Sequence, residues 1–308
     1  MLDIYYKTTK DKDFKESKSV RDGAWINVNN AQKEDLEKIV KLTSLDYADL
    51  QDALDPYELP RIERHEDSVI IFVRNPRVKV KEEFLYTQPL TIIITNKYFI
   101  TISISKNEVL ENVLNKKLNL ATTQRARLLI HIFLLIAQKF TKEIKAVKNN
   151  VLSQQKHIRN IESSDIVKLI ENEEILNQYT SALSPMRNVF KTITKGKYIY
   201  LYEYDEDSLQ DMIISINQSV DLCDVSIKSI QSLRDSYQII FTNRLNKVIK
   251  FLTSFTIIMT IPTIVASIYG MNVNLPLSQN PFAFWYIMII AFGISLVFVY
   301  IFFRKKWL

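Results

Sequence analysis

Glycine is scarce in this chain. There are four in 308 residues, Gly23, Gly196, Gly270 and Gly293, and no two lie close together. A phosphate-binding P-loop or a dinucleotide fingerprint needs clustered glycines, so that backbone amides can approach phosphate. Neither is present, so ATP-driven pumping is not expected and no nucleotide partner is predicted. Cysteine occurs once, at Cys223, which excludes an intrachain disulfide and any multi-cysteine zinc site. Cys223 lies in an apolar helical pattern and reads as a packed thiol. The three histidines, His65, His131 and His157, are far apart and lack metal-ligand spacing. Each reads as a surface or cap residue, and no Ser/His/Asp or Cys/His arrangement can be built from them. The chain is not expected to be an enzyme. Its opening, Met1-Leu2-Asp3-Ile4-Tyr5-Tyr6-Lys7, holds no long apolar run, so no cleavable signal peptide is predicted. The net charge of +6 comes from lysines and arginines scattered among acids. A nucleic-acid face would be clustered and interleaved with aromatics, so no nucleic-acid partner is expected.

The most telling absence is of charge near the C-terminus. From Phe251 to Phe303 there is no Asp, Glu, Lys or Arg. Lys247 and Lys250 precede this tract, and Arg304, Lys305 and Lys306 follow it. A bilayer crossing takes roughly 20 apolar residues, so the tract holds two crossings, about 249–269 and 282–303. Tyr269-Gly270-Met271-Asn272 and a short stretch with Pro276 and Pro281 lie between them. The cations all fall on one side of this hairpin, and the positive-inside rule puts both termini in the cytoplasm. The predicted location is the inner cell membrane, with lipid as a partner and the Gly270-Met271-Asn272 loop facing outward.

The first span is not a plain lipid-facing helix. Thr253, Thr256, Thr260, Thr263 and Ser267 recur at spacings of three and four, which puts five hydroxyls on one face. The same spacing reaches back through Ile249, Asn246, Thr242 and Ile239 to Asp235. One or two such residues would read as helix–helix glue. A stripe of five must face something other than lipid, and it reads as the lining of a water-filled pathway. One copy cannot enclose a pathway, so this reading demands a homo-oligomer.

Ahead of the membrane hairpin, residues 1–120 read as a cytoplasmic α/β domain. Strands are expected at 24–28, 68–74, 90–95 and 98–103, the last two as a hairpin around Asn96-Lys97. Helices are expected at 32–42 and 46–54. Residues 121–248 read as a helical stalk, and 249–308 as the membrane hairpin and basic tail. In the stalk, one helix is expected from a cap at Thr122 or Thr123 to about Lys156 and a second over 165–192. A third starts near Asp205 and runs through to Tyr269, roughly 100 Å at 1.5 Å per residue. Its apolar positions Leu209, Ile213, Ile216, Val220, Cys223, Ile227, Ile230, Tyr237, Phe241 and Val248 predict a coiled-coil-like seam broken at Arg234.

At this point the chain resembles a known family, the CorA magnesium transporters. The resemblance rests on Tyr269-Gly270-Met271-Asn272 between two uncharged spans and the tail Lys305-Lys306-Trp307-Leu308. It also covers Asn246, Leu252-Thr253, Pro262-Thr263, Leu209-Gln210-Asp211 and Arg234-Asp235-Ser236-Tyr237, and more weakly 50–55 and Arg61-Ile62-Glu63. It implies a homopentameric funnel that passes magnesium inward, with cobalt and nickel as further cargo, gated by cytoplasmic magnesium. Asn272 would belong to a selectivity ring, with Thr263, Leu252, Ile249 and Asn246 lining the pore and Leu252 and Ile249 forming its hydrophobic constriction. Asp211 and Asp235 would bind regulatory magnesium, Asp211 together with an acid from a neighbouring subunit. From its chemistry, Met271 is expected to pack in the turn, because thioether sulfur is too soft for magnesium. Gly270 is expected to allow a tight helix-ending turn. Two departures stand out. The outer loop Val273–Asn280 has no acid, where many members carry a glutamate. Thr260 stands where a bulky methionine is common, which makes that level wider and wetter. The alternatives are a zinc transporter of the related branch, against which Met271 argues, and a membrane-tethered sensor or scaffold, which would not need the threonine stripe.

Overall fold

The computed structural model describes residues 2–43, 45–77, 85–116, 120–156, 162–201, 203–273, 275–276 and 280–307. The chain divides into two compact units, Met1–Ser232 and Leu233–Leu308. The boundary expected near residue 120 falls within the first of them.

The first unit opens with three strands, β1 (Leu2–Tyr6), β2 (Lys15–Glu16) and β3 (Trp25–Asn29). Helices α1 (Lys33–Leu42) and α2 (Tyr47–Leu50) follow, with a 3-10 turn over Gln51–Leu54. Then come β4 (Arg61–His65), β5 (Ser68–Pro76), β6 (Thr87–Thr95), β7 (Phe99–Ser103) and α3 (Glu108–Asn115). The strands form one sheet in the order β2-β1-β3-β7-β6-β5-β4. Among the described residues, β3 and β7 pair in parallel and the other pairs are antiparallel. The predicted hairpin is present, with Ile94 opposite Phe99 and Thr91 opposite Ile102. The period-two pattern sends Ile26 and Val28 of β3 into a core with Leu36, Ile39, Leu50, Ile70, Phe72, Ile93 and Ile100. Trp25 and Asn27 point to the other face. There the Trp25 indole donates to the Thr101 hydroxyl at 2.9 Å, and Thr101 donates to Asn27 Oδ1 at 2.8 Å. Every residue of β5 is buried, because helices cover both faces of the sheet.

Four elements were not anticipated: β1, β2, β4 and α3. β4 carries Arg61, a charged hub that masks its strand pattern. Arg61 pairs with Asp52 at 2.8 Å, Glu63 at 2.6 Å and Glu58, and lies 4.1 Å over the Phe72 ring. The two weakly family-like segments, 50–55 and 61–63, therefore meet at one ion-pair cluster.

Three long helices complete the set within this unit: α4 (Arg125–Lys156), α5 (Ser163–Thr194) and the first part of α6 (Glu203–Tyr269). α4 and α5 run antiparallel, fixed by ring contacts of Phe133 with Phe190 at 4.5 Å and Phe140 with Tyr179 at 5.3 Å. Thr122 does not cap α4. Its hydroxyl exchanges hydrogen bonds with the Lys7 backbone at 3.3 Å, tying the start of α4 to the end of β1. His131 also departs from expectation. It is half-buried, its Nε2 has no hydrogen-bond partner, and burial holds its pKa below the ordinary value. His65 lies 3.6 Å from both Asp49 and Glu63 near the sheet edge, and His157 falls outside the described residues. Cys223 is buried as predicted, and desolvation pushes its thiol up to about 11.

The α6 seam differs from its prediction in register. The buried seam positions are Leu209, Met212, Ile216, Ser219, Cys223, Ser226, Ile230, Leu233 and Tyr237, and the predicted Val220 is buried beside Ser219. The seam positions alternate strictly by three and four, a true heptad in which Arg234 is no interruption. Ile213 and Ile227 are half-buried flanks, Phe241 is only partly covered, and Val248 is 61% exposed. Ser219 fits the seam because its hydroxyl donates to the Ser215 carbonyl at 2.9 Å and meets Thr141 of α4 at 2.8 Å.

The second unit holds the rest of α6, with Pro262 inside it, and α7 (Ala283–Arg304). Both helices are long and apolar enough to cross a membrane. α7 ends in a folded-back tail. Lys306 takes φ 56°, the Trp307 amide donates to the Phe302 carbonyl at 3.0 Å, and the two rings stack at 5.5 Å.

Candidate ion pathway

The candidate pathway is a matter of which α6 face is covered. Within the two apolar spans the buried side chains are Ser254 on α6 and Ala291 and Ser295 on α7, all small, and Phe302 near the end of α7. Ile258, Ile261 and Val265 are partly covered on the Ser254 side. Small residues let membrane helices approach closely. Thr253, Thr256, Thr260, Thr263 and Ser267 are all exposed, as are Asn246, Ile249 and Leu252. At 100° per residue the stripe lies about 140° around α6 from the covered face. The packing that sequence reasoning missed therefore leaves the polar face uncovered.

The hydroxyls are not idle. Thr256 donates to the Leu252 carbonyl at 2.8 Å, Thr260 to Thr256 at 2.7 Å and Thr263 to Met259 at 3.0 Å. A hydroxyl has one proton and two lone pairs. Once that proton is committed to the helix, the group offers only lone pairs outward. Three successive levels thus present acceptors and no donors. Magnesium sheds water reluctantly. Its bound waters turn their oxygens to the ion and their hydrogens outward, so a hydrated cation presents donors. The stripe complements that shell.

At the end of α6 the chain turns where the sequence indicated. The Gly270 amide donates to the Ala266 carbonyl at 2.9 Å and the Met271 amide to Ile268 at 3.2 Å. The reason for glycine is close approach. A Cβ at position 270 would sit 3.3 Å from the Ala266 carbonyl oxygen, and Gly270 is not among the positive-φ residues. The Tyr269 hydroxyl reaches the Pro276 carbonyl at 3.4 Å. Asn272 is exposed just beyond the turn. Met271 is 57% exposed, so it is not packed in the turn as expected. Residues 274 and 277–279 of the acid-free loop lie outside the described residues.

The two aspartates are exposed on α6, Asp211 in the first unit and Asp235 in the second. They are 24 residues apart in sequence, about 36 Å along a helix, so they do not share an ion within one chain. Among the described residues, no group of three or more His, Cys, Asp or Glu side chains is arranged to hold a metal ion.

A long helix with an exposed hydroxyl face, a Gly-Met-Asn turn and a second helix apolar enough to cross a membrane fit a membrane transporter for divalent cations. Comparison with known proteins names the family. The model described as "CorA-like Mg2+ transporter protein" matches residues 21–305. The chain therefore belongs to the CorA family, whose members transport ions and are not enzymes. The cobalt/magnesium transport protein CorA of Methanocaldococcus jannaschii is 28% identical over 296 residues, covering 92% of this chain and 91% of that protein. The protein of the same description from Thermotoga maritima is 20% identical, covering 92% and 83%. Among solved structures, the complete CorA magnesium transporter of M. jannaschii matches with a TM-score of 0.84 at 22% identity over 100% of this chain and 99% of that one. The cytoplasmic domain of ZntB from Vibrio parahaemolyticus matches at 0.64 with 9% identity, over 78% of this chain and 98% of that one, a likeness of fold alone.

Proposed function

We propose that this chain forms a homopentameric channel that passes magnesium into the cytoplasm, with cobalt and nickel as secondary cargo. The observation that carries this reading is the uncovered, acceptor-only stripe Thr256–Thr260–Thr263. In a single copy it would face lipid, where exposed polar groups are costly. Around a symmetry axis the same groups line a wet path. Asn272 forms the outer ring, where side-chain carbonyls read the hydrated ion. Ile249 and Leu252 give a narrow apolar level that closes by dewetting. Thr253 and Ser267 extend the wet face, and Asn246 follows the apolar level on the cytoplasmic side. With both termini in the cytoplasm, the basic residues Lys247, Lys250, Arg304, Lys305 and Lys306 sit at the inner face of the cell membrane. A divalent cation gains about 4.6 kcal/mol per 100 mV moving inward, twice the single-charge value, so no nucleotide energy is required. Asp235, and Asp211 with a partner acid from the neighbouring copy, hold regulatory magnesium that favours the closed state.

The test is flux into proteoliposomes at a fixed potential, comparing magnesium, cobalt and zinc. Wild type is expected to prefer magnesium. Asn272→Ala is expected to abolish flux while the oligomer stays intact. Normal uptake by a well-assembled Asn272→Ala protein overturns the selectivity role, and zinc preference overturns the choice of ion.

A further inference from the structure

The first unit contains a cavity of ≈ 470 Å³ that transport does not use. It lies where the β4–β5 turn, the β6–β7 turn, the start of α4 and the α5–α6 connection converge. Its walls carry three guanidiniums, Arg64, Arg125 and Arg127, together with Asp205 near the start of α6. Tyr198 and Tyr200 close one side, and Glu66 and Asp67 are exposed at the mouth.

Two groups in this wall are left unmatched, and they have opposite sign. Arg125 is half-buried, and one of its nitrogens bonds the Thr95 carbonyl. None of the ion pairs among the described residues gives it a carboxylate. A guanidinium carries five N–H donors. The Arg125 side chain stands at the first turn of α4, where the leading backbone N–H groups have no intrahelical acceptor and the helix dipole is positive. Asp205 is 3% exposed. Its Oδ1 accepts from Arg127 Nε at 3.3 Å, while its Oδ2 is buried with no partner. A buried acceptor left unpaired is costly, so a donor that reaches it would be favoured.

A ligand that answers both groups carries an anion at one end and O–H donors close by. A single carboxylate would use one arginine. Arg125 and Arg64 beside a helix start suit the higher charge of phosphate, with Arg127 held on Asp205, and Arg forks match phosphate geometry. The volume also exceeds what phosphate alone fills. Tyr200, 78% exposed, stands on the rim. We propose that this cavity binds a phosphomonoester bearing hydroxyl donors, of the sugar-phosphate type. The missing glycine-rich loop is no obstacle, because arginine side chains meet the phosphate and no phosphoryl group is transferred. The site stands whether or not the transport reading holds. Asp205 belongs to α6, the helix that continues into the second unit and carries the threonine stripe.

The experiment is calorimetric titration of the full chain in detergent, without magnesium and with EDTA present. The probes are inorganic phosphate, ribose 5-phosphate, adenosine monophosphate and glutamate. Ribose 5-phosphate is expected to bind at least tenfold more tightly than inorganic phosphate. Arg125→Gln is expected to weaken every phosphate probe at least tenfold, and Asp205→Asn to erase the preference for the sugar. Arg125 and Asp205 both make packing contacts, so the exposed variant Arg64→Gln provides a second test, with a severalfold loss expected in a protein of unchanged melting temperature. No binding of any phosphate probe at millimolar concentration overturns the proposal. So does tighter binding of glutamate, or binding that all three variants leave unchanged.

Discussion

Thr260 gives the sharpest test of the acceptor stripe. Thr260→Val preserves the shape of the side chain and removes its oxygen. The fold should scarcely notice. The hydroxyl donates to the Thr256 carbonyl, which keeps its ordinary helical bond from the residue 260 amide, so the stability change should stay within about 1 kcal/mol. Conduction should notice strongly. A net hydrogen bond contributes about 0.5–1.5 kcal/mol, and water polarised by a dication lies at the upper end. If the passing ion leans on two copies at this level, about 2–3 kcal/mol of stabilisation is lost. At about 1.4 kcal/mol per tenfold, flux should fall about 30- to 150-fold. Thr260→Ser keeps the lone pairs and should remain within about threefold of wild type. The assay is stopped-flow magnesium entry into dye-loaded proteoliposomes under a potassium diffusion potential, with melting temperature as the control for folding. If Thr260→Val conducts like Thr260→Ser, the hydroxyls are only helix glue and the wet-stripe argument fails.

Cysteines at Thr256 and Thr263 should react with small hydrophilic thiol reagents at least tenfold faster than cysteines at Ile258 and Val265, on the partly covered side; equal rates would remove the pathway from this face. The native Cys223 should stay silent in that assay at pH 8, since burial pushes its thiol up to about 11, and should label only after denaturation. Magnesium should protect wild-type α6 from limited proteolysis, and an Asp211→Ala/Asp235→Ala double variant should lose that protection; protection that persists would put the sensor elsewhere. Burial lowers the pKa of His131 below its ordinary 6.5, so the unfolded chain binds a proton that the folded one does not as pH falls through that value. Stability should therefore decline between about pH 7 and 5, and His131→Phe should flatten the decline in a melting-temperature series; an identical slope in the variant would mean that other groups drive it.

The sequence revealed periodic structure well and small-residue packing poorly. The β6–β7 hairpin, α1 and the long helices followed from alternation and from breaker residues, because hydrophobic period is what burial selects. The α6 seam was misread where serine takes a buried place. Ser219 and Ser226 sit at heptad positions that an apolar count skips in favour of the neighbouring Val220 and Ile227. A buried serine is small enough to let neighbours close in, as at Ser219, whose hydroxyl its own helix satisfies, and no hydropathy pattern reports that. Ser254, Ala291 and Ser295 escaped for the same reason. The stripe itself was legible from spacing alone. Its donor–acceptor polarity was not, because that depends on which way each hydroxyl proton points. The cavity at the start of α4 was equally invisible, since its walls come from five separated segments.

The oxygens of the stripe also explain how a pathway can do without acids. After Asp235 the chain has no Asp or Glu through to its end. A ring of carboxylates in the membrane would bind a divalent ion tightly and slow its departure, whereas conduction needs sites that are favourable to enter and weak enough to leave. Neutral lone pairs at 256, 260 and 263 recur along the helix at one-turn intervals, about 5.4 Å apart. Each level can take hold of the hydration shell as the level before releases it, so no single step strips the ion. The acid-free outer loop fits the same proposal, in which the membrane potential would supply the drive and the protein a sequence of shallow wells. In the proposed channel the strong charges, Asp235 and the basic residues of α6 and the tail, lie beyond or at the very ends of the spans, where they would set the state of the pathway without trapping what moves through it.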